Sequence, residues 1–388
     1  MKRPPLHPWL ERGTPYAFVA LEQRARELAP AGVPAIHFGI GDPREETPAF
    51  IREALIAAVP AISSYPPAAG TAELRAACAG WVRRRFEVTL DAEQHVLPLN
   101  GSKEGVFSLA LAVVARDAGR AAVVIPTPAY PVYEAGAVLA GAEVVRAPLE
   151  SANGWRFDPD RVSDEVWNRT ALLWLNLPHN PTGATLDAAG FQKVLAVARR
   201  FGFWVASDEA YAEVYFGDRP HSALEFGLDN VIAFHTLSKR SAMTGYRSGF
   251  MAGDRRLIDA LRRLRPNLGA ATPEFIQKAA TSAWNDDAHA ERLRAGYAAK
   301  RDIVRSAFER FGWTIEASEA SFFLWVKAPG GDDVAFVERL MRVGVIALPG
   351  SFLDPAGAGY VRWALVPTLD QCREAVERMS QVAAAVAR

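Results

Sequence analysis

From about residue 100 to residue 255 the chain alternates short runs of β-branched and aromatic residues with longer amphipathic segments. The apolar runs Ala121–Ile125, Ala171–Leu175, Phe203–Ala206, Val231–Phe234 and Gly249–Ala252 read as strands. The segments Ser102–Ala115, Tyr130–Ala140, Ala188–Phe201 and Leu257–Leu264 read as helices. Such alternation predicts a mainly parallel sheet with helices on both faces. The strands are continuously apolar rather than alternating, as expected when both of their faces are buried. After about residue 275 the pattern changes. A helical stretch, Glu274–Phe311, is followed by strand-like runs at Ser321–Lys327 and Tyr360–Leu365, with a helix at Asp333–Arg342 between them. This is an α+β pattern, and the first 45 residues, which have no place in the alternating core, are expected to join it. The expected division is a large domain over 46–275 and a smaller one from 1–45 and 276–388.

The chain has 388 residues, half of them hydrophobic, and its 44 Lys+Arg balance 44 Asp+Glu. The size suits two domains. A zero net charge argues against a nucleic-acid partner, which normally meets a basic excess. Cys78 and Cys372 are too few for a disulfide framework and are expected to be buried thiols. Residues Met1–Leu10 contain three prolines and lack the apolar stretch of a signal peptide. The longest apolar run, around Val106–Ala115, is about half the length a membrane span needs. A cytoplasmic protein with no membrane partner is therefore expected, and no metal site is visible.

In an open α/β sheet, ligands bind beyond the carboxyl ends of the strands. Four of the strands run into polar residues there. These are Asn176-Leu-Pro-His-Asn180-Pro-Thr-Gly183, Ser207-Asp208-Glu209-Ala210-Tyr211, His235-Thr236-Leu237-Ser238-Lys239 and Pro126-Thr-Pro128-Ala-Tyr130-Pro-Val-Tyr133. In addition, Asn100-Gly101-Ser102-Lys103-Glu104-Gly105 opens a helix. Gly101 permits close backbone approach, and the exposed amides at the positive dipole end favour a phosphate; an ordinary helix cap reads the same way. Lys239, at a buried strand end, pays desolvation unless deprotonated or paired, and a depressed pKa is what a Schiff-base lysine needs. A lone lysine snorkelling from a strand end gives the same sequence. Asp208-Glu209 is ambiguous by itself, since an Asp at a buried strand end also reads as an ordinary helix cap.

Taken together, Asn180-Pro-Thr-Gly183, Asp208-Glu-Ala-Tyr211 and Ser238-Lys239 followed by Gly245-Tyr-Arg247 resemble the class I/II aminotransferases, the aspartate-aminotransferase fold type I of pyridoxal 5'-phosphate (PLP) enzymes. The resemblance runs from about Gly39 into the C-terminal part. It implies a large domain with a mainly parallel sheet, a smaller α+β domain, PLP as cofactor, and a ping-pong exchange of an amino group between an amino acid, such as glutamate, and a keto acid. Lys239 then resembles the lysine that bonds the cofactor and moves the proton. Asp208 matches the carboxylate facing the ring nitrogen, which keeps the ring an electron sink. Asn180 and Tyr211 match the donors to the phenolic oxygen, and Tyr130 the aromatic stacked on the ring. Ser238, Arg247, Gly101 and the amides of Ser102 and Lys103 resemble the phosphate cradle. Arg362, in Gly359-Tyr-Val-Arg362-Trp-Ala, resembles the arginine that grips the substrate α-carboxylate. Gly41, in Phe38-Gly39-Ile40-Gly41-Asp42-Pro43, falls in the segment that closes over substrate. Tyr65, in Ser64-Tyr65-Pro-Pro-Ala-Ala-Gly70, resembles a tyrosine reaching the phosphate of a partner subunit, which implies a homodimer with shared sites.

Smaller signatures, among them Ser238-Lys-Arg-Ser241, Ala283-Trp-Asn-Asp-Asp-Ala-His289 and Leu348-Pro-Gly-Ser-Phe-Leu353, resemble the succinyldiaminopimelate aminotransferases of lysine biosynthesis. Two stretches depart from that group: Ala242-Met-Thr-Gly-Tyr-Arg247, and Arg265–Thr272, which is expected to line a distal substrate pocket. The alternatives within PLP chemistry are an aminotransferase for another substrate (LL-diaminopimelate, aspartate or an aromatic amino acid) and a C–S β-lyase. No helix-turn-helix fits ahead of Gly39, against a DNA-binding regulator, and no G-x-G-x-x-G follows a first strand, against a nicotinamide enzyme.

Overall fold

The computed structural model describes residues 4–11, 17–269 and 271–386. Residues 1–3, 12–16, 270, 387 and 388, which the expected domain ranges and the segment Arg265–Thr272 include, lie outside the described residues. A seven-stranded sheet runs in the order Val96–Leu99, Gly249–Gly253, Val231–Thr236, Trp204–Asp208, Thr170–Asn176, Ala122–Thr127, Glu143–Pro148. Gly249–Gly253 runs opposite to the other six strands, pairing antiparallel with both of its neighbours. The fold is therefore α/β with a mainly parallel sheet, as in PLP enzymes of fold type I.

The period of two along each strand sends neighbours into different cores. Leu173, Leu175, Val205 and Ala233 pack on one face with Leu74, Trp81 and Phe191. Leu172, Trp174, Ala206, Ile232 and Phe234 pack on the other with Val106, Leu109 and Leu257. All five expected strands are present, each extended or shifted by a residue or two. Two strands carry no clear signal in the sequence. Val96–Leu99 contains Pro98, whose nitrogen cannot donate, and it is tolerated because this strand is an edge. Glu143–Pro148 is the opposite edge and half exposed, so it lacks the continuous apolar run.

A third core joins the two ends of the chain. Leu21, Ala25, Ile36 and Phe38 pack with Tyr297, Val304, Phe308, Trp363 and Met379. Its sheet has four antiparallel strands in the order Leu348–Pro349, Tyr360–Ala364, Phe323–Lys327, Ile315–Ala317. Ile36–His37 pairs in parallel with Val345–Ile346. Cys78 and Cys372 are both buried free thiols.

The long helical stretch is two helices, Glu274–Asn285 and Ala288–Phe311. Asp286 interrupts it: its carboxylate accepts from the His289 amide (2.9 Å) and contacts the His289 ring (2.7 Å). Such local side-chain bonds compete with helical ones. The first helix gives Ala279, Ala280, Ala283 and Trp284 to the core around Leu74 and Trp81. Residues 276–285 thus pack with the large sheet rather than with the C-terminal part, where the sequence pattern places them. Among the described residues no helix is long and apolar enough to cross a membrane, and no cluster of His, Cys, Asp and Glu could hold a metal ion.

Candidate active site

Three adjacent parallel strands end side by side at Asn176, Asp208 and Thr236, with Asn176 in register with Asp208. At their ends lies a cavity of about 500 Å³. Gly41, Ser102, Lys103, Tyr130, Asn180, Asp208, Tyr211, Ser238, Lys239, Arg247 and Arg362 all line it. Two expected site residues do not. Gly101 stands just behind the lining, and Tyr65 is fully exposed (101%).

Burial pushes the Asp208 carboxyl up to about 6, opposed by two hydrogen bonds to its charged form. Tyr133 Oη donates to Oδ2 (2.7 Å) and the Ala210 amide to Oδ1 (3.2 Å). Tyr133 is held by stacking on Trp174, ring centroids 4.7 Å apart. Asn176 closes the next turn. Its Nδ2 donates to the Asp208 carbonyl (2.8 Å) and its Oδ1 accepts from the Asn180 amide (2.8 Å).

Asn180 is then anchored from the C-terminal sheet. Arg362 Nη1 donates to Asn180 Oδ1 (2.8 Å), and Nη2 to the Gly39 carbonyl (2.6 Å). The Arg362 guanidinium lies over the Phe323 ring at 4.5 Å. One side chain thus ties the N-terminal segment, the large sheet and the small sheet at the cavity wall. The Tyr211 ring meets Phe322 and Phe323 edge-on.

Lys239 sits in the short helix that follows strand Val231–Thr236, and its Nζ donates to the Gly41 carbonyl (2.5 Å). Burial first, then Arg362, Arg247 and Lys103, lower its pKa to about 8; Asp42 opposes them. Lys103 is lowered by burial and by Arg247. It lies in the first turn of the helix Ser102–Val113, which follows Gly101 at φ +77°. A β-carbon on Gly101 would meet the end of the Arg247 side chain, which can shift, so it is the positive φ that calls for glycine there. Arg247 itself adopts a left-handed conformation (φ +52°), and its Nη1 donates to the Thr244 carbonyl (2.8 Å).

Among the described residues that line the cavity, Lys103, Lys239, Arg247 and Arg362 are thus matched by two acids, Asp42 and Asp208. That excess of cations, the helix N-terminus and an acid at the far side together suit an anionic ligand with a basic nitrogen. The donor set fits PLP: a cradle of Ser102, Lys103, Ser238 and Arg247 for its phosphate, Lys239 for its aldehyde and Asp208 for its ring nitrogen.

Tyr133, Asn176, Thr236 and Phe323 also line the cavity and were not singled out from sequence. Asn176 and Thr236 end strands, which is a usable signal. Tyr133 follows Tyr130 by three residues, and nothing in the sequence separates it from a core aromatic. No described residue of Arg265–Thr272 lines the cavity; Arg265 is buried against Glu104 instead.

Residues 33–379 match the family described as aminotransferase class I and II. An LL-diaminopimelate aminotransferase of Syntrophobacter fumaroxidans is 38% identical over 376 residues, covering 95% of this chain and 96% of that relative. LL-diaminopimelate aminotransferase 2 of a Nostoc strain is 35% identical over 379 residues, with the same coverage. Among solved structures, an aminotransferase from Neisseria meningitidis superposes with a TM-score of 0.91 at 35% identity, covering 97% of this chain and 100% of that one. A probable N-succinyldiaminopimelate aminotransferase from Thermus thermophilus gives 0.87 at 27% identity, covering 94% and 99%. The chain belongs to the class I and II aminotransferases, which are PLP-dependent transaminases.

Two outcomes are expected. A Lys239 amine lowered to about 8 loses its proton as pH rises through that value, well before an ordinary lysine at 10.5. Capture of pyridoxal by the cofactor-free protein, followed by borohydride trapping, therefore accelerates through pH 8 and then levels; a midpoint near 10 contradicts the desolvated site. The second concerns Tyr133→Phe. Losing the bond that lowers the Asp208 pKa lets burial raise it further, so the carboxylate protonates at higher pH. The acid limb of the kcat/KM profile then moves up by about one unit, and an unmoved limb removes Tyr133 from the account.

Proposed function

We propose that this aminotransferase acts on an amino acid of the diaminopimelate class, free or N-succinylated, in exchange with glutamate. The observation that carries the reading is Arg362: a buried guanidinium fork on the cavity wall, held by Asn180 and Gly39, with Lys239 lining the same cavity. An arginine so oriented suits a carboxylate bidentately. The substrate class is supported by the relatives, named LL-diaminopimelate aminotransferases at 35–38% identity.

Arg362 would grip the α-carboxylate and so fix which bond at the α-carbon faces the cofactor. Bound in the cradle, PLP would supply the aldehyde that accepts the amino group and the ring that holds the electron pair left at the α-carbon. Lys239 Nζ, once displaced from the aldehyde, would take the proton from the substrate α-carbon and return it on the cofactor side. Its lowered pKa makes the neutral amine available near neutral pH. Asp208 would hold the ring-nitrogen proton, with Tyr133 keeping the carboxylate ionised against its burial. Asn180 and Tyr211 would orient the ring through its phenolic oxygen, and Tyr130 would cover its face. Ser102, Lys103, Ser238 and Arg247 would hold the phosphate, with Gly41 closing the substrate side.

The same reading takes the protein as a cytoplasmic homodimer in which Tyr65 completes the partner's phosphate site. The homodimer is supported by the exposure of Tyr65 and, close to it in the sequence, of the apolar Ile56, Val59 and Ile62.

Two experiments test this. Single-turnover reaction with glutamate, LL-diaminopimelate, its N-succinyl derivative and aspartate should convert the 5'-phosphate cofactor to its amine fastest with a diaminopimelate; pyruvate release from a cysteine conjugate with the cofactor unchanged would mark a lyase and overturn it. Mixed dimers of Lys239→Ala and Tyr65→Phe chains should recover turnover, because one of their two sites then has both residues intact. Persistent inactivity contradicts a Tyr65 that acts across the dimer.

A further inference from the structure

Arg265 is 3% exposed, although it lies in the strongly basic helix Arg255–Leu268. Its Nε donates to Glu104 Oε1 (3.1 Å) and its Nη2 to Glu104 Oε2 (3.4 Å). Its Nη1 donates to the Ala68 carbonyl (3.0 Å) and to the Pro98 carbonyl. Glu104 occupies the first turn of the helix Ser102–Val113 and accepts from the Asn100 amide through Oε2 (2.7 Å). Three segments therefore meet at one guanidinium, the edge strand at Pro98, the first helical turn at Glu104 and the loop at Ala68, and the turn at Asn100 joins them through Glu104. A second strut runs parallel. Thr272 Oγ1 donates to the Leu99 carbonyl (3.2 Å), Gln277 Nε2 to the Thr272 carbonyl (2.7 Å), and the Thr71 amide to Gln277 Oε1 (2.7 Å).

We propose that Arg265, through Glu104, is a positioning residue for the phosphate end of the site, setting the Ser102 and Lys103 amides at the angle a phosphate needs. The proposal rests on the reading that these amides hold the phosphate. The physical case is one of leverage. The turn 100–101 carries a left-handed glycine and is bounded by an edge strand, so the sheet fixes it from one side only. Glu104 is the first-turn side chain that reaches back to that turn, and without a fixed cation its carboxylate would be held there by the Asn100 amide alone. Arg265 supplies that cation from a separate helix, in a rigid two-nitrogen contact that a lysine cannot reproduce. It also bonds the Ala68 carbonyl, so the loop carrying Tyr65 is tied to the same point.

The test separates phosphate positioning from general packing. Cofactor-free protein is titrated with PLP and with unphosphorylated pyridoxal, following tryptophan fluorescence. Wild type should bind PLP far more tightly than pyridoxal. Arg265→Leu and Glu104→Gln should each weaken PLP binding about tenfold while leaving pyridoxal within about twofold, and the double variant should be little weaker than Arg265→Leu alone, because the two act as one unit. Arg265→Lys should recover only part of the loss. Equal loss of both ligands, or no loss of PLP affinity, overturns the proposal. Should Arg265→Leu not fold, Glu104→Gln and Arg265→Lys decide it in the same titrations. Wild type that binds both ligands alike would overturn instead the underlying phosphate assignment.

Discussion

Four basic side chains around one half-enclosed cavity are the constraint from which the rest of this structure follows. Removing a cation from water is costly, and like charges nearby add to the cost. Lys239 and Lys103 show it directly: burial and the neighbouring guanidinia lower both. Such a cluster is tolerable when an anion completes it. PLP, with a phosphate, and an amino acid, with a carboxylate, each supply one. The zero net charge of the chain hides this local asymmetry, which is where an electrostatic partner should bind.

The fold makes that cluster possible by meeting itself at one edge. The parallel strands deliver Asn176, Asp208 and, one turn further, Lys239 by backbone register alone. Arg362 comes from a different sheet, where it pairs with Trp325 and Leu348 and so cannot drift. Its contacts to Asn180 and Gly39 carry the order of one sheet into the other. Gly101 leaves open the space beside it that the Arg247 guanidinium occupies.

Much of this was legible in the sequence because strand ends are legible. A buried parallel strand is an apolar run, and its carboxyl end is where polar residues begin, so Asn180, Asp208 and Lys239 announced themselves. Edge strands were not legible: Pro98 and the half-polar Glu143–Pro148 break the pattern on which the reading depends. The break at Asp286 was missed because helical periodicity continues on both sides of it. The inward turn of Arg265 was not legible for another reason. Composition does not show which way an arginine points, and the carboxylate that turns it inward lies far away in the chain. Tyr133 was missed because a core tyrosine and a carboxylate's hydrogen-bond donor are the same residue type.

Asp208 and Glu209 show how finely environment divides adjacent carboxyls. Successive residues of a strand point to opposite faces. Asp208 faces the cavity, where Tyr133 and the Ala210 amide partly offset its burial and hold it at about 6. Glu209 faces the core, accepts from the Ala223 amide (2.9 Å), and is pushed up to about 8 by burial. Its neighbour His235, 3.5 Å away, is driven down to about 3, so the imidazole is neutral as well. Near neutral pH one carboxyl can ionise and its neighbour keeps its proton. Of the two adjacent carboxyls, the one free to hold a ring-nitrogen proton is thus the one on the cavity face of the strand, while Glu209 and His235 behind it stay neutral beside the Arg85 guanidinium.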